Sequence, residues 1–104
     1  MFVHAVYFWL REGLTSAERE RFVAGLRSLR GIKGVKQGYI GVPAPTDRPV
    51  IERGYSWSLV LVFAGQSEHD AYQVDPVHDE FRAKCSPFWT TVRIYDSVTA
   101  DNPA

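Results

Sequence analysis

The sequence predicts a single α+β domain in which an antiparallel sheet carries helices on one face. Three features predict it: strand-like runs apolar on both faces, a capped amphipathic helix following the first of them, and the element order β-α-β-β-α-β. A chain of 104 residues has room for one domain, and 45% hydrophobic residues suit a globular core. Such a core is small for its surface, so pairing with a second copy would stabilise it.

Phe2 to Trp9 holds aromatic, β-branched and small residues around a single His4. Phe2, His4, Val6 and Phe8 share one face, and Val3, Ala5, Tyr7 and Trp9 share the other, which predicts a strand buried on both sides. Thr15 and Glu18 form a capping-box pattern that starts a helix. Phe22, Val23, Leu26 and Leu29 then follow the helical repeat, and Gly31 is a natural stop. Val35 to Val42 predicts an edge strand interrupted by Gly38 and Gly41, where a bulge or another backbone comes close. Pro43, Pro45 and Pro49 make the following segment a loop.

Tyr55 to Phe63 predicts a central strand, with Tyr55, Trp57, Leu59, Leu61 and Phe63 on one face. A short helix is expected from Ser67, capped with Asp70, and another from Asp75 and Pro76 to about Cys85. Thr90 to Val98 forms the last strand, with Val92, Ile94 and Asp96 alternating with Arg93, Tyr95 and Ser97. The domain is expected over residues 1–98, and the polar segment 99–104 is expected to fray. Connected under the usual rules, these elements give a ferredoxin-like protomer with one apolar sheet face left over. A homodimer packed sheet to sheet would cover it.

Twelve basic residues balance twelve acidic ones, which argues against nucleic acid or an anionic membrane as partner. The single Cys85 allows no internal disulfide and fits a reducing, cytoplasmic setting. Met1 to Leu10 lacks a basic leading segment and reads poorly as a signal peptide, and no apolar run is long enough to span a membrane.

The chain has three histidines. His4 can be a core histidine bonded to backbone or a catalytic group, and both readings stand on sequence alone. His78 shares a helical stripe with Phe81 and Cys85, so an ionisable group there points inward. His69, between Glu68 and Asp70, reads as a solvated surface residue. Tyr72 can be a packing residue or a hydroxyl donor. Gathered together, Tyr72, His78 and His4 would supply a proton acceptor near neutral pH and a donor to a developing oxyanion. The acidic residues Asp75, Asp79 and Glu80 suit the start of a helix, so no metal site is expected there. Phosphate-loop, zinc-protease and serine-hydrolase motifs are absent from the sequence.

Four blocks in order resemble the stress-responsive A/B-barrel (Dabb) family of the dimeric α/β-barrel superfamily. They are His4-x-Val6-x-Phe8, the Gly54-Tyr55 entry to a strand ending at Phe63, the Tyr72 to His78 to Phe81 block with Asp75-Pro76, and Phe88-Trp89. The resemblance implies a barrel-like homodimer. By similarity to a plant polyketide cyclase of the family, it also implies a cofactor-free site in which a histidine is the base and a tyrosine assists an aldol closure. The matching positions are His78 as base, Tyr72 as its partner and His4 as support.

Carried over by position, an apolar ligand pocket would be lined by Val6 and Phe8, by Phe22, Val23 and Leu26, and by Leu59 and Leu61. Phe81, Trp89, Val92 and Ile94 would complete it. Trp57 stands where that cyclase has a histidine, and Val23 and Leu26 replace larger aromatic residues. The leading expectation is a dimer binding a small apolar or keto-containing ligand with proton-transfer activity. The alternatives are a non-catalytic stress or ligand-binding dimer and a cofactor-free monooxygenase.

Overall fold

The computed structural model describes residues 1–100. The elements run β1 (Phe2–Leu10), α1 (Ser16–Arg30), β2 (Val35–Gly41), β3 (Trp57–Phe63), α2 (Gln66–Gln73), α3 (Pro76–Cys85) and β4 (Trp89–Val98), with a 3-10 turn at Ser86–Phe88. They build the ferredoxin-like arrangement, with the second crossover split into two helices. The sheet order is β2-β3-β1-β4, and each neighbouring pair is antiparallel. β1 and β3 are therefore central, and β2 and β4 are the edges.

Local chemistry sets the element ends. The Glu18 N–H donates to the Thr15 hydroxyl at 3.1 Å, and the Thr15 N–H donates to the Glu18 carboxylate at 2.9 Å, closing the expected capping box. Asp75 accepts from the Val77 N–H at 2.8 Å, and Pro76 occupies the first turn of α3. α2 departs from expectation. Its N-cap is Gly65, which has no side chain to cap with, and Ser67 and Asp70 lie inside the helix. Ser67 instead donates to Glu68 at 3.1 Å. In β2 the pairing shifts between Val35 and Gln37, and a Cβ at Gly38 would meet the side chains of Arg30 and Leu61. The N–H of Thr99 donates to the Met1 carbonyl at 3.0 Å, whereas residues 101–104 of the expected tail lie outside the described residues.

Phe2, His4, Val6 and Phe8 are buried under the helices and face Leu59, Leu61 and Phe63 from β3 in the same layer. Phe22, Leu26 and Leu29 of α1 close the core from above. α3 packs on α1 more than on the sheet. The two helices approach closely at Gly25, where a Cβ would sit 2.8 Å from the Phe81 ring and 2.9 Å from Cys85 Sγ. This standoff of α3 leaves space over β1 and β4. The opposite sheet face keeps Val3, Ala5, Tyr7, Val60 and Val62 only half covered, with Tyr95 62% exposed beside them.

Leu61 is fully buried on the central strand. Leu61→Ala is expected to cost about 2–5 kcal/mol of folding stability, read from chemical denaturation. A loss below about 1 kcal/mol, in the range of surface changes, would contradict this core assignment.

Candidate functional site

The space between α3 and the β1–β4 half of the sheet is a cavity of about 710 Å³. β1 contributes His4, Val6 and Phe8 through the alternation of strand side chains. Leu59 comes from β3, and Val92 and Ile94 come from the edge strand β4. Tyr72 closes the cavity from the end of α2, while His78, Phe81 and Arg82 reach it from successive turns of α3. Phe81 and Trp89 stack with ring centroids 5.7 Å apart and form an aromatic wall against Phe8.

Four residues expected at the pocket do not line it. Phe22, Leu26 and Leu61 are fully buried in the core, because α1 lies directly on the sheet without a gap. Val23 lies on the outer side of α1, beside Arg19, Glu20 and Arg27.

The polar end of the cavity gathers the three residues singled out from the sequence. The Tyr72 and His78 rings meet edge to face with centroids 5.0 Å apart, and His4 lies 5.7 Å from Tyr72 in a similar arrangement. His78 Nδ1 is buried and has no hydrogen-bond partner among the described residues. An unpartnered buried nitrogen is costly, and at a cavity wall a ligand can supply the missing bond.

Two further residues complete this end. His4 Nδ1–H donates to the Asp96 carboxylate at 2.5 Å across the β1–β4 pair. That bond fixes the tautomer and leaves His4 Nε2 with its lone pair. His69 is buried, correcting the expectation of a solvated residue. Its ring stacks on Phe2 at 4.3 Å and lies 4.9 Å from His4. The Asp70 carboxylate accepts from His69 Nδ1–H at 3.2 Å, and the Gln73 amide donates to Nε2 at 3.2 Å.

The polar flanks of His69 hid its burial. Its spacing of three to Tyr72 on one helical face was the signal that could have found it. Asp96 was placed on the correct strand face, but only the register that sets it opposite His4 gives it a partner.

Among the described residues, His4, His69 and Asp96 form the grouping that could hold a metal ion, with donor atoms within 4.8 Å of one another. The hydrogen bonds just described already occupy His4 Nδ1 and both ring nitrogens of His69. A metal would have to displace them, so the donor set fits a closed polar cluster better than an ion site.

Burial lowers the pKa of His4, outweighing the Asp96 carboxylate that favours its charged form. Burial also lowers that of His78, aided by the positive charge of Arg82. The Tyr72 hydroxyl is pushed well above its ordinary range by burial alone. The site therefore presents neutral imidazoles and a protonated phenol at neutral pH, a combination able to accept one proton and donate one hydrogen bond.

The profile of the Stress Responsive A/B Barrel Domain family matches residues 2–99, and the chain belongs to this Dabb family. Among solved structures, a Dabb family protein with a ferredoxin-like fold from Mesorhizobium loti is similar at 26% identity and TM-score 0.76, covering 95% of this chain and 96% of that one. A hydroxynitrile lyase from Passiflora edulis is 14% identical with TM-score 0.78, over 99% and 96% of the two chains. A dimeric ferredoxin-like protein of unknown function from Thermobifida fusca is 20% identical with TM-score 0.75, over 94% and 90%. No curated protein sequence matches the chain. No helix among the described residues is long and apolar enough to cross a membrane.

Because His4 and His78 are held neutral when folded and titrate near the ordinary value of about 6.5 when unfolded, the unfolded chain binds more protons below that pH. Their contribution to stability is expected to be full above about pH 6.5 and to fall as the pH drops below it. Thermal denaturation between about pH 7.5 and 5 reads this slope, and His78→Gln should make it shallower. A flat wild-type profile would contradict the burial of both rings.

Proposed function

We propose that the chain works as a homodimer that binds a small apolar, keto-containing ligand in this cavity and moves a proton on it, with His78 as base. The unpartnered, buried His78 Nδ1 beside Tyr72 at the end of an apolar cavity carries the reading. His78 takes a proton from the carbon next to the ligand carbonyl, and the electron pair of that C–H bond moves onto the carbonyl oxygen. Tyr72, held protonated by burial, donates a hydrogen bond to the enolate oxygen. His4, fixed by Asp96, supports Tyr72 from the sheet.

In a chain with a second carbonyl, the enolate carbon adds to it and the new alkoxide takes the proton back from His78. This is the cyclase-like form of the reaction. No group outside the chain is called on in these steps. The dimer reading rests on the half-covered apolar sheet face, which a second copy would bury, and on the dimeric state of the similar Thermobifida fusca protein. The similar lyase lends the fold alone at its 14% identity.

Deuterium exchange at the α-carbon of a medium-chain β-ketoacyl thioester, followed by NMR, tests the base. Wild type should accelerate exchange, His78→Ala should lose the acceleration while keeping the fold, and Tyr72→Phe should retain about one part in a hundred. Exchange undiminished in His78→Ala would overturn the role. A variant that only melts earlier, with no exchange by wild type, would favour the non-catalytic binding dimer. Sedimentation should show a dimer that Val62→Glu on the outer face dissociates.

A further inference from the structure

Beyond the base and its partner, α3 brings one more charged group to the cavity. Arg82 lies four residues after His78, so the two side chains leave the same helix face with Cβ atoms about 5–6 Å apart. Both line the cavity. Among the described residues, Arg82 forms neither an ion pair nor a side-chain hydrogen bond, unlike Arg11 with Glu18 and Arg53 with Asp47. Asp79 lines the same rim without reaching ion-pair distance of Arg82.

We infer that the cavity selects an amphipathic carboxylate: an apolar tail against Phe8, Phe81 and Trp89, a polar group at His78, and a carboxylate held by the Arg82 guanidinium. This rests on the reading of the cavity as a ligand site and adds a preference for the free acid over its thioester.

The spacing decides between sources of negative charge. A guanidinium one helical turn from His78 reaches an anion a few bonds from the group at His78. The phosphates of an acyl carrier arm lie much farther from the acyl carbonyl. A planar guanidinium also matches a carboxylate with two parallel hydrogen bonds. Electrostatics point the same way, because Arg82 acts on His78 more strongly than either Asp79 or Asp75 does. A cation there opposes formation of imidazolium and favours negative charge on the ligand. Deprotonation of a keto acid here moves the proton onto His78, leaving imidazolium beside enolate, and the guanidinium stabilises the enolate and the carboxylate while it speeds return of the proton from His78.

Calorimetric titration with octanoate, octan-1-ol and octanoyl-coenzyme A tests the inference, with the Trp89 indole N–H resonance reporting cavity occupancy. Wild type should bind octanoate about ten-fold tighter than octan-1-ol. Arg82→Gln should erase that difference through weaker octanoate binding while octan-1-ol binding holds, and Arg82→Lys should keep part of it. Equal binding of acid and alcohol, unchanged in Arg82→Gln, would overturn the carboxylate while leaving the cavity reading intact. Arg82-dependent binding of the coenzyme A ester without preference for octanoate would assign the charge to phosphate and also overturn it. Binding of none of the three would remove the cavity reading and this inference with it.

Discussion

β1 is paired along both edges and apolar on both faces, and the rest of the molecule is arranged around covering it. Its helix-side residues Phe2, Val6 and Phe8 lie under the helical layer and beside Leu59, Leu61 and Phe63 in the same sheet face. Burying such side chains is worth roughly 1.5–3 kcal/mol each, which makes this layer the main source of stability. α1 packs against β2 and sets Phe22 on Phe8 of β1, and α3 leans on α1 at the close approach at Gly25. The same arrangement leaves Val92 and Ile94 of β4 without close helical cover, so the cavity is a consequence of how the core is closed. His4, within the most buried strand, is therefore both a core residue and part of the cavity wall.

That double position explains the protonation states. A histidine under hydrophobic cover resists charging even beside a carboxylate, and Asp96, 39% exposed at the edge strand, is too well solvated to reverse this. Tyr72 faces the same apolar surroundings and holds its proton. Removal from water thus sets the acid and the base at the same end of the cavity. The hydrogen bond from His4 to Asp96 adds orientation, since it ties the end of the site to the register of two strands.

Much of the fold was legible because its signals are local. The alternation in β1 and β3, the box at Thr15 and Glu18, and Asp75 with Pro76 each act within a few residues. Boundaries were less legible: Tyr55 and Ser56 precede β3, and Ser56 spends its N–H on Phe8 and its hydroxyl on the Leu10 N–H instead. For the site, periodicity told which side chains point inward, except at Val23, which lies on the outer side of α1. It could not tell whether an inward side chain meets another or meets a gap. Phe22, Leu26 and Leu61 meet neighbours, while Phe81, Val92 and Ile94 meet the space under α3. His69 failed for a related reason, because flanking acids describe the neighbours of a helical residue and not the face it occupies.

The position of the cavity also accounts for how a ligand can enter. Val92 and Ile94 are 38% and 52% exposed although they lie on the helix side of the sheet, so the cavity opens along the β4 edge. Elsewhere entry would require a helix to leave a close-packed core, at a cost of several buried side chains. Along β4 nothing has to move. Burial holds His4, Tyr72 and His78 neutral in the cavity, whereas Arg82 and Asp79 at the rim remain solvated. A ligand entering from this edge would pass the charged rim before its polar group reaches the unpartnered Nδ1 of His78, so charge at the rim acts on which molecules enter and the neutral interior acts on what happens to them.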